Sequence, residues 1–200
     1  EGPLKKKEGS YLVSGRFGYP GVVAGLLGSN LTSKPQMWFY DVNAKVNRTL
    51  DARNRMFFSL YSGGDHTVFN KLVKGYGMDW GNATATIRWN HILNDKTNVN
   101  TSAVFSNYYY KYKSLSDGLR YVWKSNMQSY QLKSDWERYQ NNLLTLKGGV
   151  NLHYFTTMPG EVGKSGKDSN ITPSQMPRKS LWDAALYAEA NYKFLPHFLL

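Results

Sequence analysis

Cysteine is absent from the 200 residues. That excludes a disulfide frame, a thiolate metal site and a thiol nucleophile. No run approaches the roughly 18–20 consecutive apolar residues that a membrane-spanning helix requires, so a helical membrane protein is excluded. Blocks of one charge are lacking too: 25 basic and 14 acidic side chains, a net charge of +11, are scattered along the chain. With no basic tail, recognition helix or RNA-binding consensus, nucleic acid is not an expected partner. Lys5-Lys6-Lys7 is followed by Glu8-Gly9 and not by an apolar segment, so no signal peptide is expected here.

Catalytic signatures are equally scarce. His66, His91, His153 and His197 have no metal-ligand spacing. Gly163-Lys164-Ser165 resembles the tail of a phosphate-binding loop, but Met158 stands where that motif needs glycine. There is no Gly-x-Ser-x-Gly elbow. Asp135 and Glu137 share a strand face two residues apart, and carboxylates balancing a basic interior explain them more simply than an acid pair. The expectation is no enzyme activity, no metal and no cofactor.

What the chain does contain is aromatic side chains, 15 Tyr, 9 Phe and 6 Trp, far too many for a disordered segment. They sit in stretches of period two. In 37–50, Trp38, Tyr40, Val42, Ala44 and Val46 alternate with Asp41, Asn43, Lys45 and Asn47. In 81–92, Ala83, Ala85, Ile87 and Trp89 alternate with Asn82, Thr84, Thr86, Arg88 and Asn90. In 143–156, Leu144, Leu146, Val150, Leu152 and Tyr154 oppose Thr145, Lys147, Asn151 and His153. In 184–193, Leu186, Ala188, Ala190 and Tyr192 oppose Tyr187, Glu189, Asn191 and Lys193. Further strands are expected at 10–18, 55–66, 98–113 and 127–139, making about eight. These runs are about twice the usual soluble strand and match the roughly 9–11 residues of a tilted membrane strand.

The connections alternate in size. Lys5–Gly9, Asp51–Asn54, Asn94–Thr97, Gln140–Asn142 and a point near Leu195-Pro196-His197 read as short turns. Segments 19–36, 67–78, 114–126 and 157–180 hold most of the Gly, Pro and Ser and read as long mobile loops. Short turns on one side and long loops on the other are the pattern of an outer-membrane barrel. The fold class expected is all-β: an antiparallel transmembrane β-barrel segment with short periplasmic turns and long extracellular loops. Tyr76, Trp80, Tyr121 and Trp123, on or beside those loops, are the candidate ligand contacts. Asn43, Lys45, Arg88, Asn90, Lys147, Asn151 and Glu189 are expected to face the lumen.

Five phrases in order, EGPLKKKEGSYLVSGRFGY (1–19), WFYDVNAKVN (38–47), RMFFSLYSGGD (55–65), WGNATATIRWNHIL (80–93) and NTSAVFSNYYYKY (100–112), resemble the early barrel strands of TonB-dependent outer-membrane receptors. The resemblance implies part of a 22-stranded barrel, enclosing a plug domain that residues 1–200 do not contain. It also implies uptake of a bulky nutrient through the outer membrane of a Gram-negative bacterium, driven through TonB. The implied partners are outer-membrane lipid, the rest of the barrel and its plug, TonB through regions absent here, and, as a further candidate, a surface lipoprotein. Two alternatives compete: a self-contained eight-stranded barrel, adhesive or porin-like, and a soluble β-sandwich that binds sugars.

Overall fold

The computed structural model describes residues 1–5, 8–20, 22, 26, 36–70, 75–116, 119–166 and 169–194. They form one antiparallel sheet of ten strands. In chain order these are β1 (Gly2–Lys5), β2 (Gly9–Gly18), β3 (Gln36–Thr49), β4 (Asn54–Asn70), β5 (Gly75–Asn94), β6 (Thr97–Ser116), β7 (Leu119–Tyr139), β8 (Leu144–Lys164), β9 (Ser174–Gln175) and β10 (Lys179–Tyr192). The order across the sheet is β1-β2-β3-β4-β5-β6-β7-β8-β10, with β9 pairing beside β8. All eight expected strands are present; the two additions, β1 and β9, are only four and two residues long.

The sheet is open. Among the described residues β2 and β10 share no ladder, and β1 and β10 are its edges, so no eight-stranded ring closes. Nor, among the described residues, does a second sheet pack on the first, as a sandwich would require. No hydrophobic side chain among the described residues is buried. No described helix is long and apolar enough to cross a membrane.

One end of the sheet is made of short turns, each tied by its own side chain. Asp51 accepts hydrogen bonds from the Arg53 amide at 2.7 Å and from the Asn54 side chain. Asn94 accepts from the Lys96 amide at 3.0 Å, and Asn141 from the Leu143 and Leu144 amides at 2.9 and 2.8 Å. These are Asx turns, in which a short side chain mimics a backbone turn.

The other end corrects the expectation of loops. Segments 67–78 and 114–126 are mostly strand. The β4–β5 ladder continues to the Asn70–Gly75 pair, and the β6–β7 ladder to Ser116–Leu119. Only the tips at 71–74 and 117–118 lie outside the described residues. In 157–180, β8 runs on to Lys164 and β9 returns to pair with it. Pro159 fits because β8 is irregular there: Lys124 pairs with Glu161, but Asn126 pairs with Met158, the bulge that proline in a sheet needs. Most of 19–36 lies outside the described residues, as does the turn expected near 195–197. In these hairpins the polarity of the two faces is inverted, so the alternation of the lower strands does not run on into them. On the face that is apolar lower down, His66, Asp79, Lys111, Lys124 and Glu161 pair in register across five strands.

The register separates two kinds of row. Tyr11, Val46, Phe58, Ile87, Ala103, Leu132, Leu152 and Ala184 pair in succession from β2 to β10. One residue further along each strand, on the opposite face, the row reads Ser10, Asn47, Phe57, Arg88, Ser102, Lys133, Asn151 and Ala185. Without a second layer, packing comes from aromatic rings lying on glycines of neighbouring strands. Tyr40, Gly64, Gly81 and Tyr109 form one cross-strand row. A Cβ on Gly64 would come 2.9 Å from the Tyr40 ring, and one on Gly81 the same distance from Tyr109. Phe39 covers Gly18, Tyr187 covers Gly149 and Trp123 covers Gly160 in the same way.

Candidate functional site

Asn43, Lys45, Arg88, Asn90, Lys147, Asn151 and Glu189 share the polar face, since every ladder places them on rows of the same parity. Most carboxylates on this face are held by neighbours. Arg16 donates to Asp41 from Nε at 2.8 Å, and the Tyr61 hydroxyl donates to the same carboxylate at 2.9 Å. Lys133 Nζ lies 2.9 Å from Asp135, which also accepts from the Tyr187 hydroxyl at 2.8 Å. Lys147 pairs with Glu137 at 3.4 Å, and Asn191 donates to Glu189. Gly63 and Gly149 leave room for the two tyrosines: a Cβ at either would come 2.4 Å from the Tyr61 or Tyr187 side chain.

Tyr76, Trp80, Tyr121 and Trp123 are strand residues of β5 and β7, not loop residues. The ladders that run past 67–78 and 114–126 put them there. All four lie on the polar face, toward the hairpin end. Tyr76 and Tyr121 are brought together through Tyr112, with ring centroids 6.4 and 5.9 Å apart, and Phe69 adds a ring 5.0 Å from Tyr76. Trp123 is the register partner of Tyr112. Trp80 lies four residues below Tyr76 on β5, opposite Tyr110. Sequence reasoning missed Phe69 and Tyr112. The signal for Tyr112 was available in Tyr108, Tyr110 and Tyr112, which alternate onto one face.

The opposite face carries its own aromatic band. Phe105, Tyr130, Tyr154 and Trp182 pair in register over β6, β7, β8 and β10, with centroids 5.1, 6.2 and 4.7 Å apart. On β2 and β3 the band stands four residues higher, at Phe17 and Tyr40, with Trp38 stacked on both from two residues beyond, the offset that strands tilted to a common plane produce. Trp182 and Tyr192 bracket the apolar part of β10. Their ten-residue separation spans about 33 Å along the strand, or about 25 Å in height at a tilt of roughly 40°. Above the band the charges begin: Asp79 pairs with His66 and, at 3.8 Å, with Lys111, and Lys124 lies 3.7 Å from Glu161. Among the described residues no cluster of His, Asp or Glu could hold a metal ion.

No protein-family model matches the chain, and no curated protein does. A solved structure does: the ferric-catecholate import receptor Fiu of E. coli K12, in its closed form, superposes with a TM-score of 0.59 at 8% sequence identity. The match covers 94% of this chain and 38% of that receptor. The chain therefore shares the fold of part of that receptor, and it spans well under half of the receptor's length.

Proposed function

We propose that this chain is part of the wall of an outer-membrane active transporter of a Gram-negative bacterium. It takes up a bulky nutrient and is driven through TonB. The observation that carries the reading is the single-layer sheet whose apolar face is bounded on β10 by Trp182 and Tyr192, about 25 Å apart in height, the dimension of a lipid-facing barrel wall. A sheet with no buried core needs another apolar medium against that face, and hydrocarbon supplies it. The open groove of about 800 Å³ lined by Phe58, Ile87, Leu132, Leu152 and Trp182 then takes lipid chains rather than cargo. The polar face lines the lumen. The short Asx turns face the periplasm and the long hairpins face outward, so the ladder of Phe69, Tyr76, Tyr112 and Tyr121, with Trp123 beside it, meets the nutrient as it arrives. Trp80 lies deeper. The remaining strands, a plug within the barrel and TonB are its working partners, and a surface lipoprotein is a further candidate. No covalent chemistry is involved.

Single-cysteine labelling of the full-length protein in intact cells tests the topology. Lys164→Cys, at the hairpin end, should react with a membrane-impermeant maleimide. Lys96→Cys, in a short turn, should react only after the outer membrane is permeabilised. Equal reaction at both sites in intact cells would sink the topology, and uptake that persists undiminished without TonB would sink the energy source.

A further inference from the structure

The hairpin end sorts its charges by face. Beyond the row of Tyr40, Gly64, Gly81 and Tyr109, the ladders of β4 to β8 put Lys111, Lys113, Arg120 and Lys124 on the outer face. Among the described residues of that stretch, only Asp65 and Lys164 bring a charge to the lumen face, as register partners of Trp80 and Tyr121. What that face carries instead is rings and hydroxyls. Phe69, Tyr76, Tyr112 and Tyr121 stand on four adjacent strands with centroids 5.0, 6.4 and 5.9 Å apart. Ser114 lies between Tyr76 and Tyr121 in register, and Met78 and Trp123 flank Tyr112. None of the four rings is buried, and Tyr76 is 38% exposed, so the strip is open to a ligand.

A polyanion arriving here would meet almost no cation to replace its water, and Asp65 would repel it. A sugar gives up no charge hydration. Its C–H side packs on aromatic rings, whose faces carry negative potential. Its hydroxyls exchange water for the tyrosine and serine hydroxyls at little net cost. We propose that the ladder of Phe69, Tyr76, Tyr112 and Tyr121, with Trp123, takes an uncharged oligosaccharide and discriminates against anionic chelates. This rests on the uptake reading above and names its substrate class. The course of the strip across four strands suits a linear chain better than a compact solute.

A glycan array probed with the full-length protein in detergent tests it. Neutral linear glycans should retain the protein. Calorimetry with the retained glycan should give the same affinity at low and high salt, since no ion pair is screened. Tyr112→Ala and Tyr121→Ala should each weaken binding about tenfold. Tyr112→Phe, which keeps the ring, should weaken it less, and Lys113→Ala, on the outer face, should not change it. The array and the salt series need no variant, so they decide the matter even where a variant misfolds. Retention of no neutral glycan overturns the proposal. So does a preference for acidic glycans or for a ferric tris-catecholate, with affinity that falls as salt rises, and so does full binding by both alanine variants. Cysteine labelling at Lys164 and Lys96 separates these outcomes from failure of the uptake reading, which would show as equal or reversed reaction at the two sites.

Discussion

The two faces of this sheet are built from the same strands, residue by residue, yet they are held by different forces. On one face Val46, Phe58, Ile87, Ala103, Leu132 and Leu152 form a row with no polar group. On the other, one residue away, Asn47, Arg88, Ser102, Lys133 and Asn151 carry hydrogen-bonding and charged groups in a row broken only by Phe57. The first face can be satisfied by any apolar medium. The second needs particular partners at particular positions, such as Asp41 between Arg16 and Tyr61. The difference teaches that a one-layer sheet carries its specificity on its polar side, and that its apolar side fixes only where the sheet sits.

The comparison breaks most severely if the sheet is taken out of its ring. Residues 1–200 alone leave β1 and β10 as open edges, whose unpaired backbone groups each cost several kcal/mol in hydrocarbon. Size-exclusion chromatography in detergent should show aggregates joined through these edges, and a stable monodisperse species would mean the chain closes by itself. Next is the faces themselves. In the full-length protein Ile87→Arg should lose about 2–4 kcal/mol of stability, measured by urea unfolding from lipid vesicles, whereas Thr86→Arg should cost under about 1 kcal/mol. Equal losses would erase the distinction between the faces.

A smaller effect separates the ring-on-glycine contacts. A Cβ on Gly81 would come 2.5 Å from the Gly63 carbonyl oxygen, a backbone atom, whereas the three nearest atoms to one on Gly18 all belong to the Phe39 ring. Gly81→Ala should cost about 1–3 kcal/mol and resist rescue by Tyr109→Ala. Gly18→Ala should cost less and be largely restored by Phe39→Ala; the same unfolding assay reads both. The smallest effect lies in the turns. The Arg53 amide and the Asn54 side chain hold the Asp51 carboxyl below its ordinary pKa. Its contribution is therefore complete above the unfolded value, near pH 4, and fades as pH falls through the lower folded value. Asp51→Ala should be slightly destabilising at pH 7 and match the parent at the acid end of the range, a convergence that unfolding midpoints at several pH values would reveal.

Much of this architecture was written in local pattern. Alternation along 37–50, 81–92, 143–156 and 184–193 placed the strands and sorted their faces, because neighbouring residues on a strand point to opposite sides whatever they pair with. Asp51, Asn94 and Asn141 marked the short turns, because an Asx turn is closed within a few residues. The hairpins at 67–78 and 114–126 were hidden for a matching reason. There the faces change over, with His66, Asp79, Lys111 and Lys124 on the side that is apolar lower down and Phe69, Tyr76, Tyr112 and Tyr121 on the other, so the apolar alternation that marks the strands stops short of the hairpins.

Alternation along the chain is enough to define long two-faced strands with an apolar and a polar side. Tertiary structure alone decided which residues meet. Register joined Tyr76 to Tyr121 through Tyr112, laid Tyr40 and Tyr109 over Gly64 and Gly81, and set Arg55 and Arg88 against one Phe57 ring. The physical reason is range: facing is set by the neighbouring bond, while partnership is set by pairing between strands tens of residues apart, where a one-residue slip would exchange every contact.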